Sequence, residues 1–197
     1  MNFQIAEGAV VLRGFAVPCS DALEAAVHAI TAQAPFRHMT VPGGHKMSVA
    51  MTNCGKAGWV SDRSGYRYEA TDPETGMRWP PMPECFTEIA ASAAAQAGYG
   101  KFCPDVCLIN DYQPGARMAL HQDKDERDFT APIVSVSLGG PATFLFGGVS
   151  RKDKPHRIRL THGDVVVWGG PARLFFHGVS PLKPGAARIN LTFRKAL

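Results

Sequence analysis

The run from residue 107 to 193 contains CLINDY (107–112), RMALH (117–121), IVSVSL (133–138), TFLF (143–146), RIRL (157–160), DVVVW (164–168), RLFFH (173–177) and RINLTF (188–193). These segments are short, rich in β-branched and aromatic residues, and separated by turn residues, with no helix-length apolar pattern between them. Eight such strands at close intervals predict a sandwich or jelly roll. Side chains facing inward at the mouth of such a barrel are where a ligand sits.

The N-terminal half reads differently. Asp21 followed by Glu24 offers an N-cap and its reach-back partner, and Leu23, Ala26, Val27 and Ile30 recur at helical spacing until Pro35. A second amphipathic helix starts near Pro83, at a first-turn position, carries Phe86, Ile89, Ala90, Ala93 and Ala97 on one side, and stops at Gly98. Between them, residues 41–80 scatter Trp59, Tyr66, Tyr68 and Trp79 among Lys46, Lys56, Arg63, Arg67 and Arg78. Aromatic faces interleaved with cations suit a nucleotide-gripping surface; a hairpin layer whose aromatics only cover the core has the same composition.

At 197 residues, with 45% hydrophobic and 19% charged side chains, the chain suits one domain with a sizeable core, and wholesale disorder, collagen and coiled coil are excluded. No apolar run reaches the ~18 residues of a membrane span. The opening MNFQIAEGAVVLRGF (1–15) lacks the basic and apolar regions of a leader, so the expected compartment is the cytoplasm. Cys19, Cys54, Cys85, Cys103 and Cys107 form no CxxC pair and suit reduced thiols.

Charge is unevenly spread. Residues 1–100 carry a net charge of −2 and residues 101–197 one of +6, densest in RKDKPHRIR (151–159). Such a cluster suits nucleic-acid phosphates, but on charge alone a solvated hairpin loop is the favoured reading.

Two HxD triplets stand out. On an extended strand residues i and i+2 face the same way, so His121-Gln-Asp123 presents an imidazole and a carboxylate to one point, the short arm of a two-histidine, one-carboxylate iron site. His162-Gly-Asp164 has glycine at its centre and reads as a turn. His177, closing the run LFFH, is well placed as the second histidine. Downstream, alternation puts Arg188, Asn190, Thr192 and Arg194 on one face of a strand and Ile189, Leu191 and Phe193 on the other. Two inward guanidiniums need an anion, and a small dicarboxylate that also chelates iron would satisfy them.

The ordered set INDY, HQDKDE, SVSLG, GDVVVWGG, RLFFHG and RINLTFR, with PFRHM, PGG, MSVAMTNCG and WPPMP upstream, closely resembles the AlkB family of Fe(II)- and 2-oxoglutarate-dependent dioxygenases that repair alkylated nucleic acids. The resemblance implies a mainly β protein with flanking helices, in which residues 1–100 hold the helices and a nucleotide-recognition lid and residues 101–197 a double-stranded β-helix (jelly-roll) core, all within one domain. It implies His121, Asp123 and His177 as iron ligands. Arg188 would bind the far carboxylate of 2-oxoglutarate, in a pocket completed by Asn110, Tyr112, Asn190 and Arg194. Trp59 would stack on the flipped base, Tyr66, Arg67 and Tyr68 would touch backbone or base, Asp125 would face the exocyclic amine, and Arg151 would reach the substrate.

The implied activity is oxidative demethylation of N1-methyladenine and N3-methylcytosine in DNA, with RNA as a second candidate substrate. It consumes O2 and 2-oxoglutarate and releases formaldehyde, succinate and CO2, and the expected enzyme is a monomer with no protein partner. His45 stands where the family pattern has tyrosine, and the segment between Leu182 and Arg188 is shorter than the pattern. Two other readings compete: a 2-oxoglutarate-dependent hydroxylase of a protein or small molecule, and a non-catalytic nucleic-acid-binding jelly roll.

Overall fold

The computed structural model describes residues 2–197, within which the chain forms thirteen strands and two α-helices. The N-terminal half contributes β1 (Phe3–Ala6), β2 (Ala9–Leu12), α1 (Ser20–Gln33), β3 (Ala50–Gly55), β4 (Gly58–Asp62), β5 (Gly65–Glu69) and α2 (Glu84–Gln96). The C-terminal half is β6 (Val106–Tyr112), β7 (Met118–His121), β8 (Ile133–Gly139), β9 (Ala142–Phe146), β10 (His156–Leu160), β11 (Val165–Trp168), β12 (His177–Val179) and β13 (Arg188–Arg194). Seven of the eight strands expected after residue 105 form as read, and the eighth, β12, shares only His177 with its expected segment.

These strands make a jelly roll of two facing sheets. The larger runs β1-β2-β11-β8-β13-β6-β3 and the smaller β10-β9-β12-β7, while β4 and β5 pair separately as a hairpin. Residues before 100 therefore supply three strands of the larger sheet as well as both helices. That sheet is covered on both faces. On the outer face Leu191 and Phe193 of β13 pack with Leu23, Val27 and Ile30 of α1 and with Phe86, Ala90 and Ala93 of α2. The rings of Phe86 and Phe193 meet edge to face at 5.6 Å. Between the sheets lie Met51, Leu108, Phe144, Phe146 and Trp168. Burying a side chain of this size contributes about 1.5–3 kcal/mol, so both layers matter to stability.

Four local expectations need correction. Helix α1 begins at Ser20 with Cys19 as N-cap and without a side-chain cap; Asp21 lies inside its first turn, and the Ser20 hydroxyl donates instead to the Val17 carbonyl at 3.0 Å. Pro83 is the N-cap of α2 rather than a residue of its first turn. RLFFH is not a strand: Gly170-Pro171-Ala172 forms a 3-10 turn, Gly170 takes a φ of +50°, and only His177 enters β12. Finally, β7 stops at His121, so Asp123 stands on the following loop rather than on an extended strand.

The β4–β5 hairpin leaves β3 through Lys56 and Ala57 alone. Gly58 is needed at its start, because a Cβ there would lie 2.4 Å from the Trp79 ring. Trp79 in turn donates its indole N–H to the Glu69 carbonyl at 3.0 Å. Arg37 grips Asp72 through two hydrogen bonds of 2.5 and 2.6 Å and lies 5.6 Å from the Trp79 ring centre. A bidentate, partly buried pair of this kind holds the strap behind the hairpin in one position.

Candidate active site

His121 ends β7 and His177 opens β12, and the two are direct partners across that antiparallel pair. Strand register thus brings together imidazoles far apart in sequence, with ring centres 4.4 Å apart. Each ring places Nδ1 against a backbone carbonyl, Ala119 at 2.8 Å and Phe175 at 3.0 Å. A neutral ring that donates from Nδ1 keeps its lone pair on Nε2. Both Nε2 atoms face Asp123, at 3.6 Å and 3.7 Å from its carboxylate oxygens. One ligand atom from each of the three residues lies within 4.8 Å of the others.

Charge states suit a cation. Burial and the neighbouring His121 push the His177 imidazole down to about 4, so it is neutral at pH 7. For Asp123 burial favours the protonated acid, but Arg194, His177 and His121 outweigh it and hold the carboxyl well below the usual range. Two imidazoles and one carboxylate on one side of a space are a donor set for non-haem Fe(II) with further positions open. The other triplet is a turn. Gly163 has φ +78°, Asp164 accepts from the amides of Thr161 and Gly14 and pairs with Arg13, and His162 Nδ1 accepts from the Gly139 amide.

Beside the triad, β13 presents Arg188, Asn190, Thr192 and Arg194, all buried, to the space between the sheets. Arg188 is 3% exposed and donates one hydrogen bond, to the Ser137 hydroxyl at 2.8 Å. Its Nε and Nη1 have no partner, and neither does the side-chain oxygen of Asn110. Burying guanidinium nitrogens unsatisfied is costly, so the arrangement is one that an anion completes. Tyr112, paired with Arg188 across β6 and β13, has its phenol pushed up to about 12 by burial and stays a donor. Asn190 is held by Ser135, Val136 and Thr192. Arg194 binds Asp123 Oδ2 through Nε at 3.0 Å and Nη2 at 2.7 Å, leaving Nη1 without a partner. These residues fit 2-oxoglutarate, whose distal carboxylate would meet Arg188 while its keto acid reaches the triad.

The lid residues divide into two groups. Trp59 stacks on Tyr66 with centroids 5.6 Å apart and planes 14° from parallel, and its Nε1 donates to Asp125 at 2.9 Å. Trp59, Tyr66 and Asp125 are thus brought together. By contrast, Arg67 pairs with Asp62 and Glu69 of its own hairpin, and the Tyr68 hydroxyl points inward to Glu126 at 2.6 Å. Arg151 folds back to donate to the Leu120 carbonyl at 2.6 Å, one residue from His121.

Four residues of this region escaped the sequence reading. Asn53, fully buried on β3, donates to the Trp59 carbonyl and accepts from the Trp59 amide, both at 3.0 Å, so its side chain replaces a backbone pair and fixes Trp59. Glu126, 5% exposed, gathers Tyr68, Arg173 and Arg194. Arg173 also holds the Asp123 carbonyl at 2.8 Å. The Trp168 ring lies 4.9 Å from that of His177, with its indole N–H unpartnered.

Comparison with known proteins agrees with this geometry. The family model described as the 2OG-Fe(II) oxygenase superfamily matches residues 8–194. The chain is 54% identical over 198 residues to the alpha-ketoglutarate-dependent dioxygenase AlkB of Escherichia coli, covering 98% of this chain and 92% of that protein. It is 48% identical over 187 residues to the AlkB homolog of Caulobacter vibrioides, covering 91% and 83% respectively. The solved structure of OsALKBH1 superimposes with a TM-score of 0.87 at 30% identity, covering 99% of this chain and 100% of that one. With the triad and the anion pocket in place and the match running nearly end to end, the chain belongs to the AlkB family of the 2OG-Fe(II) oxygenase superfamily.

Proposed function

We propose that this chain removes methyl groups from N1-methyladenine and N3-methylcytosine in DNA, and in RNA, by oxidative demethylation. One observation carries the reading: a His121–Asp123–His177 set, with Asp123 and His177 buried and His121 partly open, stands beside a buried Arg188 with two unpartnered nitrogens. Its relatives support the same class of activity. His121, Asp123 and His177 would hold Fe(II), which with O2 and 2-oxoglutarate would supply the chemistry that hydroxylates the N-methyl group, giving succinate, CO2 and, after C–N cleavage, formaldehyde.

The chain's own residues position the reactants. Arg188, Tyr112 and Asn110 bind the distal carboxylate of 2-oxoglutarate, with Asn190 and Arg194 closing the pocket. Arg194 also fixes the Asp123 oxygen that it binds, so that the carboxylate reaches the metal in one orientation. Trp59 offers a ring to the extruded base, and Asp125 places a negative charge beside it. Both methylated bases are cationic and unable to pair normally, so they are cheaper to flip out and are attracted to that carboxylate. Arg151, at the tip of the β9–β10 hairpin, meets the strand's backbone, and Tyr66, Arg67 and Tyr68 hold the lid surface it lies against.

The reading places a monomer in the cytoplasm, a compartment that five free cysteines suit. No helix among the described residues is long and apolar enough to cross a membrane. The test is formaldehyde release from oligonucleotides bearing either lesion, run beside unmethylated controls with Fe(II) and 2-oxoglutarate. Absence of methyl-dependent formaldehyde from iron-loaded protein would overturn the proposal in favour of a protein or small-molecule hydroxylase.

A further inference from the structure

The basic run 151–159 is not a solvated loop throughout. Its second half is β10, the edge strand of the smaller sheet, where Ile158 and Leu160 turn inward and Arg157 and Arg159 turn outward. Between β10 and β1, the edge strand of the larger sheet, runs a groove of about 410 Å³ lined by Phe3, Ile5, Arg13, His156, Arg157 and Arg159 among others, and no carboxylate lines it. Arg13 braces it, donating to the Arg159 carbonyl at 2.6 Å while paired with Asp164, and lies 5.2 Å from the centre of the exposed Phe3 ring. Among the described residues neither Arg157 nor Arg159 has a carboxylate partner; Arg157 makes one long hydrogen bond, 3.5 Å, to the Ser180 hydroxyl.

Register ties this groove to the active site. His121 pairs with His177, His177 with Phe146, and Phe146 with His156, so the two iron-ligand candidates and the start of the groove share one row across the smaller sheet. Two strand spacings, about 10 Å, separate His156 from His177. At roughly 3.4 Å of rise per nucleotide along the axis of a helical strand, that is about three nucleotides from the reacting base, and β10 leads on from there.

We infer that the groove between β1 and β10 is a second nucleic-acid site, in which Arg157 and Arg159 bind the phosphates of the substrate strand about three nucleotides from the flipped base. This rests on the proposed function for its choice of ligand. Two guanidiniums without a carboxylate partner beside an exposed aromatic ring match a phosphodiester backbone, which offers an anion and a base to stack at every nucleotide.

The experiment compares wild-type protein with the Arg157→Gln/Arg159→Gln double variant, both exposed positions outside the active site. Binding of an unmethylated single-stranded 15-mer is followed over a salt series, beside a polyglutamate of matched charge, and formaldehyde release is followed from a methylated trinucleotide too short to reach the groove. The variant is expected to bind the 15-mer about 20-fold more weakly at 0.1 M salt, with the log–log salt slope flattened by about 1.4, or 0.7 for each phosphate no longer neutralised. Trinucleotide turnover should be unchanged. Equal 15-mer affinity and slope in the two proteins, or polyglutamate binding that depends on the two arginines as strongly, would overturn the inference. Trinucleotide turnover by the wild type reports on the proposed function alone: its absence with 15-mer binding still arginine-dependent would sink the demethylase and leave the groove.

Discussion

Arg194 places Nη2 2.7 Å from Oδ2 of Asp123, so a residue of the anion pocket and a residue of the metal set are hydrogen-bonded to each other. The proposed pocket for the cosubstrate and the proposed pocket for the cation therefore share one charged pair. Both members are buried, and the pair is tied further by Glu126, 3.3 Å from the Arg194 Nε.

Asp123→Ala is expected to abolish metal retention and turnover together. It removes the only anionic donor and leaves Arg194 as a buried cation beside two imidazoles. His162→Ala, in the turn, should leave both nearly intact. Metal content of the two purified variants checks this; equal loss in both would mean that the ion is not held by His121, Asp123 and His177 alone.

Arg188→Ala should raise the 2-oxoglutarate requirement by some two to four decades, the equivalent of about 3–5 kcal/mol for breaking a buried charge pair, with little effect on oligonucleotide affinity. Calorimetric titration of 2-oxoglutarate into metal-loaded protein measures it. Unchanged affinity would place the carboxylate elsewhere.

Trp59→Ala should cost ~1–3 kcal/mol of substrate binding, the range of one base stacked on an aromatic ring, without changing metal or 2-oxoglutarate affinity. Asn53→Leu should weaken substrate binding in the same direction, because the Trp59 backbone loses both hydrogen bonds that position it. If Asn53→Leu left substrate binding untouched, its amide would be serving the fold alone.

Metal-free protein should lose stability as pH falls from about 6.5 toward 4. His177 is held at about 4 in the folded chain and returns to its ordinary value of 6.5 on unfolding, so in this window the unfolded state binds the extra proton. The contribution is present above 6.5 and is lost progressively on acidification. Melting temperatures of wild type and His177→Gln from pH 7 to pH 5 should converge; parallel curves would show that His177 is not the group responsible.

How much of this was legible in the sequence depended on whether a residue's role shows in its neighbours along the chain. Strand β13 declares itself, because polar and apolar residues alternate from Arg188 to Arg194 and each set has its own layer to face. The triad was readable from HxD and a distant histidine, although Asp123 reaches its place from a loop held by Arg173 rather than from an extended strand. RLFFH misled because a half-exposed apolar loop has the composition of a strand, and only the Gly-Pro turn before it tells them apart. Glu126 was hidden in DKDERD, an acidic run with the look of a solvated surface. Asn53 was hidden for the opposite reason: one amide in TNCG looks like turn chemistry, and its partner Trp59 is reached only after the chain leaves the sheet.

The direct pairing of His121 with His177 also makes the metal set a property of the folded sheet. Strand β7 is the outermost strand of the smaller sheet, and its partner β12 follows more than fifty residues later, after β8 to β11. Closing so long a segment carries an entropic cost, which is met only when β7 pairs with β12. Until then, the chain has two separated histidines and a loop aspartate but no binding site. A cation held by these three residues would therefore bind the paired state alone and stabilise the docked edge by mass action.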